Sequence, residues 1–206
     1  MLPERSISPW RSMLMGSLIK PQMIWMGIPT PTSNHLFTVN TESPTMLDIE
    51  QSKLFHHITA RLLFLGQHAW PDVQTVVVFL CTRVKAPDTD DYKKLACVIW
   101  YLRHTTRTPL TFKADSLQLV KWWTDASFAV HAYMKSHTGG ALLLGKGVIY
   151  GIFTCQKINT RSSTEAELVA MNDVLPQVLW TRYFEAQGYG TIDSIVYQDN
   201  QSAVLL

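Results

Sequence analysis

The chain has 206 residues, of which 47% are hydrophobic and 17% are charged, and its formal net charge is +2. This length and apolar content suffice for one hydrophobic core of ordinary size or two small ones, and they exclude a disordered or strongly solvated chain. The weak positive charge is compatible with a nucleic-acid partner, but it is far below the basic excess that would indicate one by itself.

Cysteine usage and hydropathy indicate the cellular setting. Cys81, Cys97 and Cys155 lie far apart without a CxxC pair, which is typical of reduced, buried thiols rather than of a disulfide or zinc framework. The apolar segment 12–27 is interrupted by Lys20 and Pro21, so it predicts neither a membrane span nor a signal peptide. We therefore expect an intracellular protein, cytoplasmic or nuclear, with no membrane partner.

The first 108 residues are predicted to form a lead-in and a helical unit. Residues 1–45 are rich in proline and lack periodicity, which predicts an extended or poorly ordered segment. Within 46–108, a first helix is predicted from Asp48 to Gly66. Its apolar face is formed by Ile49, Leu54, Ile58, Leu62 and Leu63.

Two more helices complete this unit. One is predicted over 70–84, with Pro71 in its first turn, where a missing N–H costs nothing. The other is predicted over 88–105, with acidic residues in its first turn, including Asp90 and Asp91, and basic ones near its end. Its apolar face is formed by Leu95, Val98, Ile99 and Leu102.

The pattern changes at Pro109, and residues 109–206 predict a mixed α/β unit with the order β-β-β-α-(α)-β-α. A strand through LQLVKWWTDAS is followed by a hairpin that turns at residues 145–147. A helix then runs from about Ser162 towards Gly188, bent near Pro176. A further strand, TIDSIVYQDN, precedes the start of a last helix.

Two predicted strands end in an aspartate, Asp125 and Asp199. Buried acids at strand ends are costly unless a cation meets them there. If the two strands are adjacent, the carboxylates converge at one edge of the sheet, where a helical glutamate would complete an oxygen-rich magnesium site. By spacing alone, three separate solvated surface acids remain the more common arrangement.

The helix RSSTEAELVAM offers two glutamates with separable roles. With Ser162 as N-cap, Glu165 occupies the position of a capping-box partner. Glu167 borders the apolar stripe that we expect to pack on the sheet, and it is therefore the metal-ligand candidate. That stripe consists of Leu168, Met171 and Leu175.

Other residues near the candidate site have simpler interpretations. Trp122 and Trp123 alternate across a strand, so one is expected in the core and the other towards a neighbouring helix or solvent. His131 and His137 are predicted to be surface loop residues.

Three ordered segments carry a family resemblance: KWWTDASFAVHAYMKSHTGG, QKINTRSSTEAELVAM and YQDNQSAVLL. They resemble the ribonuclease H region of copia-type LTR retrotransposon Pol polyproteins. Upstream, FHHITARLLFLGQHAWPDVQTVVVFLCTRV and DDYKKLACVIWYLRHT are similar to the end of the reverse transcriptase in the same polyproteins. The resemblance extends over roughly residues 29–206 and divides the chain into a lead-in (1–45), a thumb/connection remnant (46–108) and a ribonuclease H-like unit (109–206).

The resemblance implies cleavage of the RNA strand of RNA–DNA hybrids with two Mg²⁺ or Mn²⁺ ions. Asp125, Glu167 and Asp199 match the family's metal-binding carboxylates, with Asp125 bridging both ions. The implied partners are the hybrid and, in the intact polyprotein, an upstream reverse transcriptase domain. Positions that contact the hybrid in the family are matched by Ser163, Thr164 and Gln201, although serine and threonine at a helix start are equally well explained as caps.

The chain also departs from the family. The family pattern continues with a further strand and a later helix that carries a fourth acid, and this chain lacks the strand, the helix and the acid. We therefore expect an incomplete sheet and little or no activity from this polypeptide alone. The only adjacent acids, Asp90 and Asp91, open a helix, which argues against a polymerase site. Truncation at both ends is expected.

The sequence leaves three hypotheses open. One is an enzyme fragment, the second is a non-catalytic remnant that at most binds nucleic acid or a partner, and the third is an unrelated α/β protein, which would be favoured if the three carboxylates lay far apart.

Overall fold

The computed structural model describes residues 30–32, 35–40, 43–115, 119–188 and 193–205. Most of the predicted lead-in, residues 1–29, lies outside the described residues. The helices, in chain order, are α1 (Ile49–His68), α2 (Gln74–Arg83), α3 (Thr89–Thr105), α4 (Ser163–Glu185) and α5 (Gln201–Val204). The strands are β1 (Lys113–Ala114), β2 (Leu119–Ser127), β3 (His137–Leu143), β4 (Gly145–Lys146), β5 (Tyr150–Cys155) and β6 (Asp193–Gln198). Short 3₁₀ turns occupy Pro71–Val73 and Ala132–Met134.

The three predicted helices of the first half are confirmed, and they enclose a hydrophobic core of their own. Asp48 caps α1 by accepting a hydrogen bond from the Gln51 N–H at 2.7 Å. The expected apolar face of α1 was wrong at its first position, because Ile49 is 75% exposed and Phe55 is buried instead. The core comprises Leu36, Phe55, Ile58, Leu62, Val73, Val76, Val77, Phe79, Leu80, Leu95, Val98, Ile99 and Leu102.

Helix α3 begins with a capping box, which was not predicted from the sequence in addition to the acidic first turn. The Asp88 carboxylate accepts hydrogen bonds from the Asp90 and Asp91 N–H groups, both at 2.8 Å. In return, the Asp91 carboxylate accepts from the Asp88 N–H at 3.1 Å and from the Arg83 guanidinium at 2.9 Å. Burial of Asp91 raises the pKa of its carboxyl, while the Asp88 N–H and Arg83 oppose that rise. The network joins the end of α2 to the start of α3.

Replacing this cap should destabilise the chain measurably. Asp88 is 2% exposed, so Asp88→Ala removes a buried acceptor from two N–H groups and should cost about 1–2 kcal/mol. Thermal denaturation should show a fall in Tm of about 2–4 °C per kcal/mol for a chain of this size. The control is Glu50→Ala, which removes an exposed first-turn acid of α1. An equal fall in both variants would contradict the structural role of Asp88.

The second half forms a mixed four-stranded sheet with the order β5-β3-β2-β6. Strand β3 pairs antiparallel with both β2 and β5, whereas β6 pairs parallel with β2. The predicted β3–β5 hairpin is confirmed, but Gly145 and Lys146 form β4, which pairs with β1 instead of simply turning. Gly147 has φ +85°, and a Cβ there would lie 2.4 Å from the Thr111 carbonyl oxygen, so this position requires glycine.

Helix α4 packs against β2 and β3 through small residues spaced four apart, namely Ala166, Ala170, Val174 and Val178. The predicted stripe was wrong, because Leu168 and Leu175 are 37% and 42% exposed and Met171 is only half-buried. The reason is space. At Gly140 of β3, even an added Cβ would lie 2.7 Å from a Val174 methyl, so the helix lies too close to the sheet for leucine. Helix α4 also continues through Pro176 as one helix rather than two.

The interpretation of His131 and His137 as surface loop residues was wrong. His137 is 3% exposed and lies at the start of β3, and His131 is half-buried. Their rings are hydrogen-bonded, His131 Nε2 to His137 Nδ1, at 2.8 Å. Phe37 packs against both rings and Phe79 against His131, so residues from the first half enclose the pair.

In the part of the chain that the structure describes, no helix combines the length and the apolar character needed to cross a membrane. The three cysteines are free thiols and are each half-buried. Burial raises the pKa of the Cys81, Cys97 and Cys155 thiols.

Candidate metal centre

The two strand aspartates meet at one edge of the sheet. Strands β2 and β6 are parallel neighbours, with Thr124 paired to Gln198, so Asp125 and Asp199 follow directly at the same edge. Asp125 lies inside β2, which continues to Ser127, and Asp199 follows the last residue of β6. Both carboxylates are exposed. The sequence-based expectation that they converge is therefore met by the observed sheet order.

Helix α4 brings Glu167 to the same edge. Glu167 is 6% exposed and lies beside the small-residue face that packs on the sheet. Asp125, Glu167 and Asp199 each offer a carboxylate oxygen, and these three oxygens all lie within 4.8 Å of one another. Hard carboxylate oxygens are the ligands that Mg²⁺ and Mn²⁺ prefer, so this donor set fits either ion.

The cluster is electrostatically costly as it stands. Burial raises the pKa of the Glu167 carboxyl above its ordinary value, and the negative charges of Asp125 and Asp199 raise it further. The Gln198 side-chain amide and the Ala126 backbone N–H oppose that rise by donating hydrogen bonds to the carboxylate. A bound cation would offset the repulsion among the three acids.

Gln198 is a site residue that sequence reasoning missed. Its Nε2 donates to Glu167 Oε2 at 3.0 Å, and its Oε1 accepts from the Asn200 N–H at 3.2 Å. A signal was present in the sequence, because Gln198 precedes Asp199 and side chains alternate between the faces of a strand. Its partner could not be named without knowing which helix covers that face.

Glu165 caps α4, as predicted, although one of its bonds differs from the expected capping box. The Ser162 hydroxyl accepts from the Glu165 N–H at 3.2 Å, and Glu165 Oε2 accepts from the N–H of Arg161, one residue earlier than expected, at 2.6 Å. This bond occupies one Glu165 carboxylate oxygen at the helix start. The choice of Glu167 over Glu165 as the ligand candidate therefore agrees with the geometry.

The family resemblance matches three residues to contacts with the hybrid, and all three lie close in sequence to a carboxylate of the cluster. Ser163 is exposed and Thr164 half-buried in the first turn of α4. Gln201 is exposed at the start of α5, two residues after Asp199. Their nucleic-acid roles stay predictions.

An open cleft of about 520 Å³ extends from the acidic cluster across the sheet face opposite α4. Its floor includes Gly139 and Ala141, and Phe153 lies at one side. Trp122 and Trp123 point to opposite faces, as predicted. Trp122 is fully buried, whereas Trp123 is 50% exposed in the cleft and stacks on Tyr197 with ring centroids 4.3 Å apart. The Asp125 and Asp199 carboxylates therefore line this open cleft, while Glu167 lies buried beside it.

Comparison with known proteins supports the family resemblance. The chain is similar to the retrovirus-related Pol polyprotein from transposon TNT 1-94 of Nicotiana tabacum, with 26% identity over 182 residues. The match covers 86% of this chain but only 14% of that polyprotein, so the chain spans about a seventh of its relative's length. No protein-family model and no solved structure matches the chain. The chain is thus related to a retrotransposon Pol polyprotein, and the copia type is consistent with this relative.

Proposed function

We propose that this retrotransposon Pol-related chain carries a ribonuclease H-type endonuclease site that cleaves the RNA strand of RNA–DNA hybrids. The observation that carries the proposal is the convergence of Asp125, Glu167 and Asp199 within 4.8 Å at the edge of a mixed sheet. The strand order β5-β3-β2-β6 with α4 packed on β2 and β3 is compatible with a ribonuclease H-like fold. The third hypothesis, accidental motifs on an unrelated α/β protein, is disfavoured because the carboxylates lie together.

The proposed chemistry follows from the character of the three acids. Asp125, Glu167 and Asp199 would hold Mg²⁺ or Mn²⁺, with Asp125 in the shared position that the resemblance implies. Two bound ions would activate a water and stabilise the attacking and leaving oxygens of the phosphodiester. The chain's own contribution is to fix three carboxylates in one place, so that little reorganisation is needed when the substrate arrives.

Substrate recognition is assigned to the surface around the cluster. Ser163, Thr164 and Gln201 are the proposed contacts to the hybrid, and the first two would face the RNA 2′-hydroxyls that distinguish RNA from DNA. The proposed setting is a longer polyprotein in the cytoplasm or nucleus, with the reverse transcriptase domain as neighbour and residues 46–108 as a thumb/connection segment.

The decisive test is cleavage of a labelled RNA–DNA hybrid by the full 206-residue chain in Mg²⁺ and in Mn²⁺. The described acidic cluster holds three carboxylates, one fewer than the resemblance implies for the family site, so we expect at most slow cleavage in either metal. Asp125→Asn should remove it, with a loss of at least about 100-fold, because the variant loses a charged ligand while keeping its size.

Controls separate this function from the alternative of a non-catalytic remnant. An RNA–RNA duplex and a DNA duplex of the same sequence should not be cut, and Asp173→Asn supplies a control carboxylate on α4 outside the cluster. If the folded wild type binds the hybrid but cleaves nothing in either metal, the remnant hypothesis is correct and the enzymatic proposal fails.

A further inference from the structure

The Gln198 side chain bonds one carboxylate of the candidate metal centre, that of Glu167, and the backbone N–H that directly follows another, Asp199. Its amide nitrogen donates to Glu167 Oε2 at 3.0 Å and makes a longer contact of 3.4 Å to the Thr124 hydroxyl. Its carbonyl oxygen accepts from the Asn200 N–H at 3.2 Å, across the residue that carries the Asp199 carboxylate. Both ends of one half-buried amide are therefore hydrogen-bonded, one to Glu167 and the other to the Asn200 backbone.

An amide side chain is suited to position 198 because it offers both a hydrogen-bond donor and an acceptor. The Glu167 carboxylate oxygen lies within 4.8 Å of those of Asp125 and Asp199, so a hydrogen-bond donor is needed to hold it beside two like charges. An aspartate or glutamate at position 198 would add to the repulsion, and an apolar residue would leave a nearly buried carboxylate without its side-chain donor. Bonding both the Glu167 carboxylate and the Asn200 N–H requires a side chain with a donor and an acceptor.

The turn after β6 is held by hydrogen bonds on both sides of Asp199. Asn200 is the N-cap of α5, where its Oδ1 accepts from the Ala203 N–H at 3.0 Å. Gln198 and Asn200 therefore fix the backbone on both sides of Asp199, one through the strand end and the other through the helix start. This turn fixes the backbone position from which the exposed Asp199 carboxylate projects.

We propose that Gln198 is a positioning residue, which orients the Glu167 carboxylate and the Asp199 turn for metal binding. The inference rests on the proposed metal-dependent function and adds to it a residue outside the set of three carboxylates. A hydrogen bond from outside the ligand set restricts each carboxylate to the orientation needed for coordination. Loss of such a partner typically weakens metal affinity by about 10–100-fold.

The test is the Mn²⁺ affinity of the full chain, measured by calorimetry and by electron paramagnetic resonance of free Mn²⁺. Gln198→Met keeps the length of the side chain and removes both of its hydrogen bonds, so we expect Mn²⁺ to bind about 10–100-fold more weakly. The matched control is Thr124→Val, which removes the longer amide contact and should change the affinity by less than about threefold. Equal affinity in wild type and Gln198→Met would overturn the inference.

A measurement on the unaltered chain covers the case in which Gln198→Met does not fold. The Gln198 side-chain amide resonances should shift on Mg²⁺ titration with the same midpoint as metal binding, and resonances of the exposed Gln187 amide should not. Static Gln198 resonances through a titration that saturates the site would refute the positioning role. If the wild type binds no metal, or Asp125→Asn binds it equally well, the proposed metal centre itself fails, which is a distinguishable result.

Discussion

A Glu167→Gln variant should be more stable than the wild type without metal, and Mn²⁺ should stabilise it far less. Glu167 is 6% exposed, and burial together with two neighbouring carboxylates raises its pKa. The folded state therefore binds the proton more tightly than the unfolded chain does, so the ionised carboxylate costs stability at neutral pH. Glutamine has the same shape without the charge, and its carbonyl oxygen can still accept from Gln198.

Thermal denaturation with and without Mn²⁺ measures both effects. Relief of the repulsion should raise the metal-free Tm by about 2–4 °C for each kcal/mol gained. Mn²⁺ at about 100 times its Kd should stabilise the wild type by about 2.7 kcal/mol, and most of this gain should be absent in the variant. Functional sites typically keep charged groups that lower the stability of the fold.

A matched control lies one half-turn earlier on the same helix. Glu165→Gln changes a capping carboxylate whose oxygen accepts from the Arg161 N–H, so it should slightly lower the Tm and leave the Mn²⁺ response intact. Two results would count against the assignment: a Glu167→Gln variant that is less stable than wild type without metal, or one that keeps the full metal-induced rise.

Local rules made the convergence of the three acids one of two possibilities, and the family resemblance favoured it over separate surface acids. Asp125 and Asp199 follow strand patterns, and parallel neighbours bring their ends to the same edge. Glu167 was separated from Glu165 by counting from the N-cap, which needs no tertiary information. The prediction assumed that the two strands are adjacent and that the helix reaches the same edge. The pairing of β2 with β6 and the position of Glu167 meet both assumptions.

The packing of α4 could not be predicted in the same way, because the helix is apolar on more than one face. Leu168, Leu175 and Leu179 form an outer stripe that is 37–56% exposed, while the sheet side carries alanine and valine. Hydrophobicity favours the leucines for the core, but the closeness of Val174 to Gly140 excludes them. Size complementarity with a particular strand decided the face, and a single sequence does not reveal it.

The environment of His131 and His137 likewise depends on distant parts of the chain. Phe37 and Phe79 lie 52 or more positions away in sequence and pack against the pair only in the folded state. Burial, followed by the neighbouring His131, lowers the pKa of His137 to about 4 from 6.5, and burial also lowers the pKa of His131. The sequence pattern around these histidines gives no sign of this enclosure.

Acid should therefore destabilise the fold through His137. A lowered pKa means that the folded state binds the proton more weakly than the unfolded chain, so stability is complete above pH 6.5 and falls as the pH approaches 4. The full shift corresponds to about 3 kcal/mol, a large part of the stability of an ordinary domain. Urea denaturation at intervals between pH 7 and pH 4 should show this loss in the free energy of unfolding.

His137→Phe distinguishes this histidine from the carboxylates that also titrate in acid. His137 Nε2 is buried without a partner, and His131 is the titratable group in contact with the ring, so phenylalanine removes the proton site and retains an aromatic ring beside Phe37. The variant should lose less stability between pH 6.5 and pH 4 than the wild type, by about 3 kcal/mol. Parallel curves for the two proteins would mean that the pair is solvated in solution. In that event Phe37 and Phe79 would not enclose the histidine pair. Other residues would then have to form the contact between the helical core and the sheet.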